Sequence, residues 1–481
     1  MISREAVVAA AFRRDASVIR ENGSRSLRES RFGAGMRRGR PNVRPKSARA
    51  PCKMGRSAQT SLAAFLPLPE RSPEQGSSTA VRTPRRESHM LPLDILRKEF
   101  PATANAIYMD VANQGLISST TLASIEPHLN NRLHGLNDEE RMLEHVERTR
   151  ARFAQFINSD HDEIAITKNA SEGINIIANA IDWRDGDNVV LCPKLEHANN
   201  ILPWIQIRDR YNVELRVVEP DNGSIPPDAF VKAIDSHTRV VALATVTMVP
   251  GFRTVMEQIS EACRHYGAFL LADATQSVGI LHTDVNRLGV DGVAVSTVKG
   301  LMGLYGSGFL YCRKEWADRL SPAYLARFSV DFGNAPESAP VPSFVKLRSG
   351  APRFDIGHYN FPGMLAAYAS MGQLLDIGTE AIDQSVTSLA KRMATGLLDI
   401  GLPVCGGPPG AHTGSIVAVG DSSDLVEGRP VDARIRSLHE HFTKNGVIVS
   451  IRRGMLRFSL HLYNTADEVD RVINLAKSWS K

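Results

Sequence analysis

The chain has 481 residues, 57 Lys and Arg against 52 Asp and Glu, a formal charge of +5, and 43% hydrophobic residues. At ~150 residues per domain this length holds two or three domains with a sizeable core, and no apolar run approaches the ~18 residues of a membrane-crossing helix, which excludes an integral membrane protein. The five cysteines (Cys52, Cys192, Cys263, Cys312, Cys405) form no C-x-x-C pair. That argues against a zinc site or a disulfide framework and fits a reducing, cytoplasmic compartment.

The charge is uneven. Residues 1–89 hold 19 basic and 7 acidic residues, leaving 38 and 45 for the rest, so the body is mildly acidic and its charge gives no reason to expect nucleic-acid binding. The leader is rich in Arg, Ser, Pro and Gly and lacks helical or strand periodicity, so it is expected to be disordered. A transit-like segment and a translation start at Met90 both fit its composition, while a secretory signal does not.

In chain order, the body opens with helical spacing over Asp138–Asn158 and again over Ser171–Ile181. Short apolar runs then alternate with helical stretches: NVVLCP, VELRVVE, RVVALATV, AFLLADA, GVAVST and GFLYC. The helix TVMEQISEACRHYG stops at Gly267, a residue suited to a left-handed C′ position. This alternation predicts an α/β fold with a parallel-rich sheet covered on both faces, whose ligands gather at the carboxyl ends of strands. After about Ser343, helices and strands mix in the manner of a smaller α+β domain. The last helix, ADEVDRVINLAKSW, follows Thr465 as its N-cap.

Lys299 ends an apolar strand and enters a loop dense in glycine (Gly300, Gly303, Gly306, Gly308). Asp273 ends the earlier strand AFLLADA, so an acid and an amine fall at the ends of neighbouring strands. An acid there needs a partner to stay charged cheaply. Read without further context, Lys299 is a solvated surface lysine, Ser171 an N-cap, His197 an ordinary histidine and Arg457 a snorkelling edge residue.

DATQSVG followed by STVKG and GSGFLY resembles the pyridoxal-phosphate (PLP) enzymes of fold type I, and more narrowly the class-V aminotransferase group, which includes cysteine desulfurases and epimerase-like proteins. The likeness runs from YMDVANQGL to LRFSLHLYNTADEVDR. It implies a large domain with a mostly parallel seven-stranded sheet over 121–343, a small α+β domain over 344–481, and a segment 90–120 that packs with the small domain after the leader 1–89. It implies that Lys299 forms the Schiff base with PLP and moves the substrate's α-proton, that Asp273 holds the pyridine nitrogen protonated, and that Gln276 bonds the phenolic oxygen. Ala170, Ser171 and Ser296 would hold the phosphate, and His197 would stack on the ring. Arg457 would grip the α-carboxylate, with Asn113 lining the substrate pocket. His358 and Asn360, in RFDIGHYN, would reach the other subunit's phosphate across a homodimer.

Three departures narrow the resemblance. Val298 precedes the lysine where desulfurases usually have His, and Met248 stands where they often have Asn. The segment NGVIVSIRRGMLRF lacks the desulfurases' nucleophilic Cys, and Cys405 lies far upstream in LPVCGGPPG. The likeness therefore implies an aminotransferase acting on an amino acid as its small-molecule substrate, with epimerisation or C–S/β-elimination as the alternatives on the same site. Arg452 and Arg453 would be grips for an acidic side chain. A non-catalytic DNA-binding regulator would need a helix-turn-helix that the leader does not suggest, and no metal-ligand spacing such as H-E-x-x-H occurs.

Overall fold

The computed structural model describes residues 93–479, except 137, 334–339, 342 and 421–430. The leader 1–89, and with it the expectation of disorder, lies outside the described residues.

Seven strands form the central sheet: β2 (Ile164–Thr167), β3 (Asn188–Leu191), β4 (Glu214–Val217), β5 (Thr238–Ala244), β6 (Phe269–Asp273), β7 (Gly292–Ser296) and β8 (Gly308–Cys312). Their order is β2-β8-β7-β6-β5-β3-β4, and every pairing is parallel except the two made by β8. Strands β3, β5, β6, β7 and β8 are buried nearly end to end, as uninterrupted Val, Leu and Ala runs require when helices cover both faces. The edge strand β4 is half-exposed and carries the charges Glu214 and Arg216. Strand β2 was not among the runs picked out by pattern. Four residues, IAIT, are too few to stand out between charged flanks.

Local signals explain the helix ends. The helix Glu139–Ile157 begins at Asp138, whose side chain accepts from the Arg141 N–H, and ends at Asn158 in the left-handed region. The helix Glu257–Tyr266 ends at Gly267 with φ +71°, as its sequence predicted. Thr465 and Glu468 cap the final helix reciprocally, Thr465 Oγ1 accepting from the Glu468 N–H at 3.1 Å and Glu468 Oε2 from the Thr465 N–H at 3.2 Å. The reading of Ser171 as an N-cap fails. Asn169 caps the helix Ala170–Ala180, accepting from the Glu172 N–H at 2.9 Å, and Ser171 lies inside the first turn.

Toward the C-terminus, β11 (Ser450–Arg452), β12 (Met455–Ser459) and β9 (Ile416–Val419) make an antiparallel sheet with β12 in the middle. The N-terminal strand β1 (Ile107–Tyr108) pairs with β10 (Val447–Ile448), and Arg97 reaches Glu468 at 2.8 Å. A buried ion pair fixes the segment before residue 360. Arg150 and Asp355, both fully buried, meet at 2.7 Å, while Asp355 also accepts from the Ile166 N–H and the Tyr359 hydroxyl. With its lone pairs satisfied in this way, the pair stands in a dry interior at tolerable cost. No helix among the described residues is long and apolar enough to cross a membrane.

Candidate active site

The carboxyl ends of β3, β5, β6 and β7 and the start of the helix Ala170–Ala180 enclose a cavity of about 210 Å³. Its wall brings together eight of the residues expected from sequence: Asn113, Ala170, Ser171, His197, Asp273, Gln276, Ser296 and Lys299. A larger hollow of about 980 Å³ between the helix Glu139–Ile157 and Arg327–Gly333 gathers mainly carboxylates and aromatic rings. The smaller one is where the strand ends bring Lys299, Asp273, Glu196 and His197 together.

Three close approaches hold Lys299. The Gly115 N–H donates to the Val298 carbonyl at 2.8 Å, and a Cβ on Gly115 would stand 2.2 Å from the Lys299 carbonyl oxygen. Gly279, at φ +94°, backs onto the Gly300 peptide so closely that a Cβ would meet it at 2.3 Å. From the small sheet, His461 Nε2 donates to the Gly300 carbonyl at 2.8 Å. The Lys299 amine itself has no hydrogen bond and no ion pair among the described residues. Burial pushes it down to about 8, against the pull of Asp273 and with help from the nearby Arg457 and Arg452 charges.

Asp273 does not pair with Lys299. Its Oδ1 accepts from the Thr275 N–H at 3.0 Å, leaving the carboxylate open to the cavity. Glu196, missed in the sequence, is fully buried, accepting from the Ala244 N–H at 2.7 Å and from Asn200 at 2.9 Å. Burial raises it to about 8, and the Asp273 charge adds to this. Glu196 lies five residues past the end of β3, in the loop between Lys194 and His197, and nothing local marks it as buried. Tyr305 at the cavity rim was also missed. His197 is lowered from its usual value, first by burial and then by Lys299, and its Nδ1 accepts from the Asn199 N–H, which assigns the proton to Nε2.

Ala170 and Ser296 meet directly, the Ala170 N–H donating to Ser296 Oγ at 2.9 Å, while the Ser171 hydroxyl is uncommitted among the described residues. Gln276 donates to the Ala112 carbonyl at 3.1 Å and keeps a buried Oε1 with no partner. Arg457 is no snorkelling edge residue: it is 1% exposed on the middle strand β12. It lies behind the cavity wall, holding the Met248 carbonyl at 3.1 Å and Ser450 Oγ at 3.3 Å, with Asp110 at 3.8 Å and its Nε unpartnered. His358 and Asn360 do not line this chain's cavity. His358 is exposed near Glu139, and Asn360 caps the helix Phe361–Ile377 while donating to the Gly306 carbonyl.

These residues fit PLP by their chemistry. A buried amine with no partner faces an open carboxylate; a helix start with an uncommitted hydroxyl suits a phosphate; Gln276 has an unmet hydrogen bond.

The aminotransferase class-V family model matches residues 127–472. A probable cysteine desulfurase from Methanothermobacter thermautotrophicus is 29% identical, covering 78% of this chain and 94% of its own. The uncharacterized aminotransferase YcbU of Bacillus subtilis is 26% identical, covering 79% and 95%. Among solved structures, a C-DES variant with glycine covalently linked to its PLP cofactor superposes with a TM-score of 0.70 at 21% identity, covering 79% of this chain and 98% of that one. The fold is thus that of the type I PLP enzymes, and the chain belongs to the PLP-dependent class-V aminotransferase family.

Proposed function

We propose that the protein is an aminotransferase that uses PLP on an amino acid. The observation that carries this reading is the Lys299 amine: buried, unpaired, held down near 8, and set across a cavity from Asp273. When bound, PLP contributes an aldehyde that condenses with amines and a ring that accepts electron density from an amino acid's α-carbon. An amine with this depressed pKa is about half neutral at pH 8 and about a tenth neutral at pH 7, far more than an ordinary lysine, so Lys299 can act as nucleophile and then take and return the α-proton. Asp273 would keep a proton on the ring nitrogen, and His197 would pack beside the ring. Ala170, Ser171 and Ser296 would hold the phosphate, Gln276 would meet the phenolic oxygen, and Arg457 would anchor the α-carboxylate with Asn113 alongside.

A persulfide-forming desulfurase is not supported, despite the names of some relatives. Cys192, Cys263 and Cys312 are buried, and their thiols are pushed up by desolvation; Cys405 is buried as well. Strands β11 and β12 are joined by Arg453 and Gly454 alone, with no loop to carry a thiol. Those same relatives favour one second reading, C–S or β-elimination without a protein thiol. We further propose a cytoplasmic homodimer in which His358 and Asn360 serve the other copy's site.

The test mixes PLP-loaded protein with a panel of amino acids and no keto acid. Transamination predicts stoichiometric conversion to pyridoxamine phosphate. Ammonia or sulfide release would establish the lyase instead, and α-deuterium exchange with retained substrate an epimerase.

A further inference from the structure

The turn between β11 and β12 carries two consecutive arginines that the structure treats differently. Arg453, at φ +46°, turns to the large domain and holds the Lys194 and Glu196 carbonyls, the latter at 2.7 Å. It is a clamp on the loop that bears His197. Arg452 makes different contacts. In the antiparallel register Ser450 faces Arg457 and Arg452 faces Met455, so Arg452 and Arg457 rise from one face of the sheet as diagonal neighbours, ~7–8 Å apart at the backbone. The Arg452 guanidinium donates to Asn113 Oδ1, on the cavity wall, at 3.1 Å, and to the adjacent Ile451 carbonyl at 3.0 Å. Both partners are neutral, and no carboxylate among the described residues lies within ion-pair distance of it.

The charges around Arg452 are mostly of its own sign. Its field lowers both Lys299 and Arg457. Of the acids nearby, Asp110 is taken up by Ser450 and Arg457 and Glu196 by Ala244 and Asn200, while Asp273, one oxygen on the Thr275 N–H, faces the cavity on the Lys299 side. With Asp110 beside Arg457 and the α-carboxylate bound there too, Arg452 stays the guanidinium whose own partners are all neutral. We infer that Arg452 is a second anion-binding group of this site, and that the preferred substrates are amino acids whose side chain ends in a carboxylate or a similar oxyanion. This inference rests on the PLP-enzyme reading and specifies its substrate class.

The experiment is a spectral titration of PLP-loaded wild-type protein and the Arg452→Met and Arg452→Lys variants with glutamate against glutamine, and aspartate against asparagine. The acids should bind wild type more tightly than their amides by tenfold to a hundredfold, the range of ~1.5–3 kcal/mol for a charge-assisted hydrogen bond. Arg452→Met should collapse that ratio toward one, and Arg452→Lys should restore part of it. Equal losses for acid and amide in Arg452→Met would overturn the inference, because the residue would then serve the α-carboxylate or the fold. A wild-type protein that responds to amino acids without distinguishing acid from amide would overturn it alone, whereas no response to any amino acid would take the proposed function down as well.

Discussion

The two walls of the cavity are built on opposite principles. On the side of the seven-stranded sheet, most polar groups are tied to one another or to the backbone, Ala170 to Ser296, Asp273 Oδ1 to Thr275, Glu196 to Ala244 and Asn200, and the groups left open there, the Ser171 hydroxyl and Gln276 Oε1, are neutral. On the side of the three-stranded sheet, cationic groups are left short. Arg457 is buried with an unpartnered Nε and lowered to about 10, and Arg452 has only neutral partners. Leaving a buried guanidinium under-satisfied costs on the order of 1–3 kcal/mol. A permanently held cofactor suits the first wall, and an anion that comes and goes suits the second.

The comparison breaks first at Lys299, the point both walls share. Lys299→Ala should abolish the visible absorbance gained with PLP and reduce turnover by at least ~10²–10⁴-fold; an unchanged spectrum would remove the residue from its role. Gly115→Ala should come next. With its Cβ 2.2 Å from the Lys299 carbonyl, the loop must shift, and a displacement near 1 Å is worth ~10² in rate. Wild-type kinetics in this variant would show that the close packing does not aim the lysine. Arg457→Lys tests the other wall. It keeps the charge and loses the planar fork, so the absorbance band should persist while the apparent KM for amino acids rises ~10–100-fold. Weakened PLP binding with an unaltered KM would assign Arg457 to the cofactor side and dissolve the distinction.

Legibility in the sequence follows the same divide. Strands β3 and β5 to β8 announced themselves as apolar runs, and the residues at their ends fell where strand ends of a parallel sheet converge. Asp273, Ser296, Lys299 and His197 were therefore readable, because a few local residues on rigid strands fix them. Groups whose state depends on distant partners were not. Nothing near Glu196 shows that the β5 backbone will offset its desolvation. The Asn169 cap, by contrast, is local, two residues before Ser171, and was hidden only because Asn and Ser are both good caps. Arg457 was legible as an arginine in a strand. That β12 is a central strand, which buries it, depends on pairings with β9 and β11 that local pattern does not encode.

His461 is the furthest case of this kind, and its effect is the smallest of the four. It is fully buried, donates from Nε2 to the Gly300 carbonyl, and accepts the Leu462 N–H at Nδ1 at 2.7 Å, so it is neutral with its proton on Nε2. Burial lowers it to about 4, outweighing the Gly300 bond that raises it. An unfolded chain takes up this proton below its ordinary value of ~6.5, and the folded chain refuses it until about 4. The stability from this group is thus complete above ~6.5 and drains away as the pH falls toward 4, about 3 kcal/mol in all and about 2 kcal/mol by pH 5. His145, also lowered to about 4, contributes over the same window in both proteins and cancels in a comparison. Urea unfolding of wild type and His461→Phe at pH 7 and pH 5 should show the variant losing less stability on acidification by about that amount. Equal losses would mean that the imidazole is already solvated and that the strand carrying Arg457 is not fastened to the lysine loop at this point.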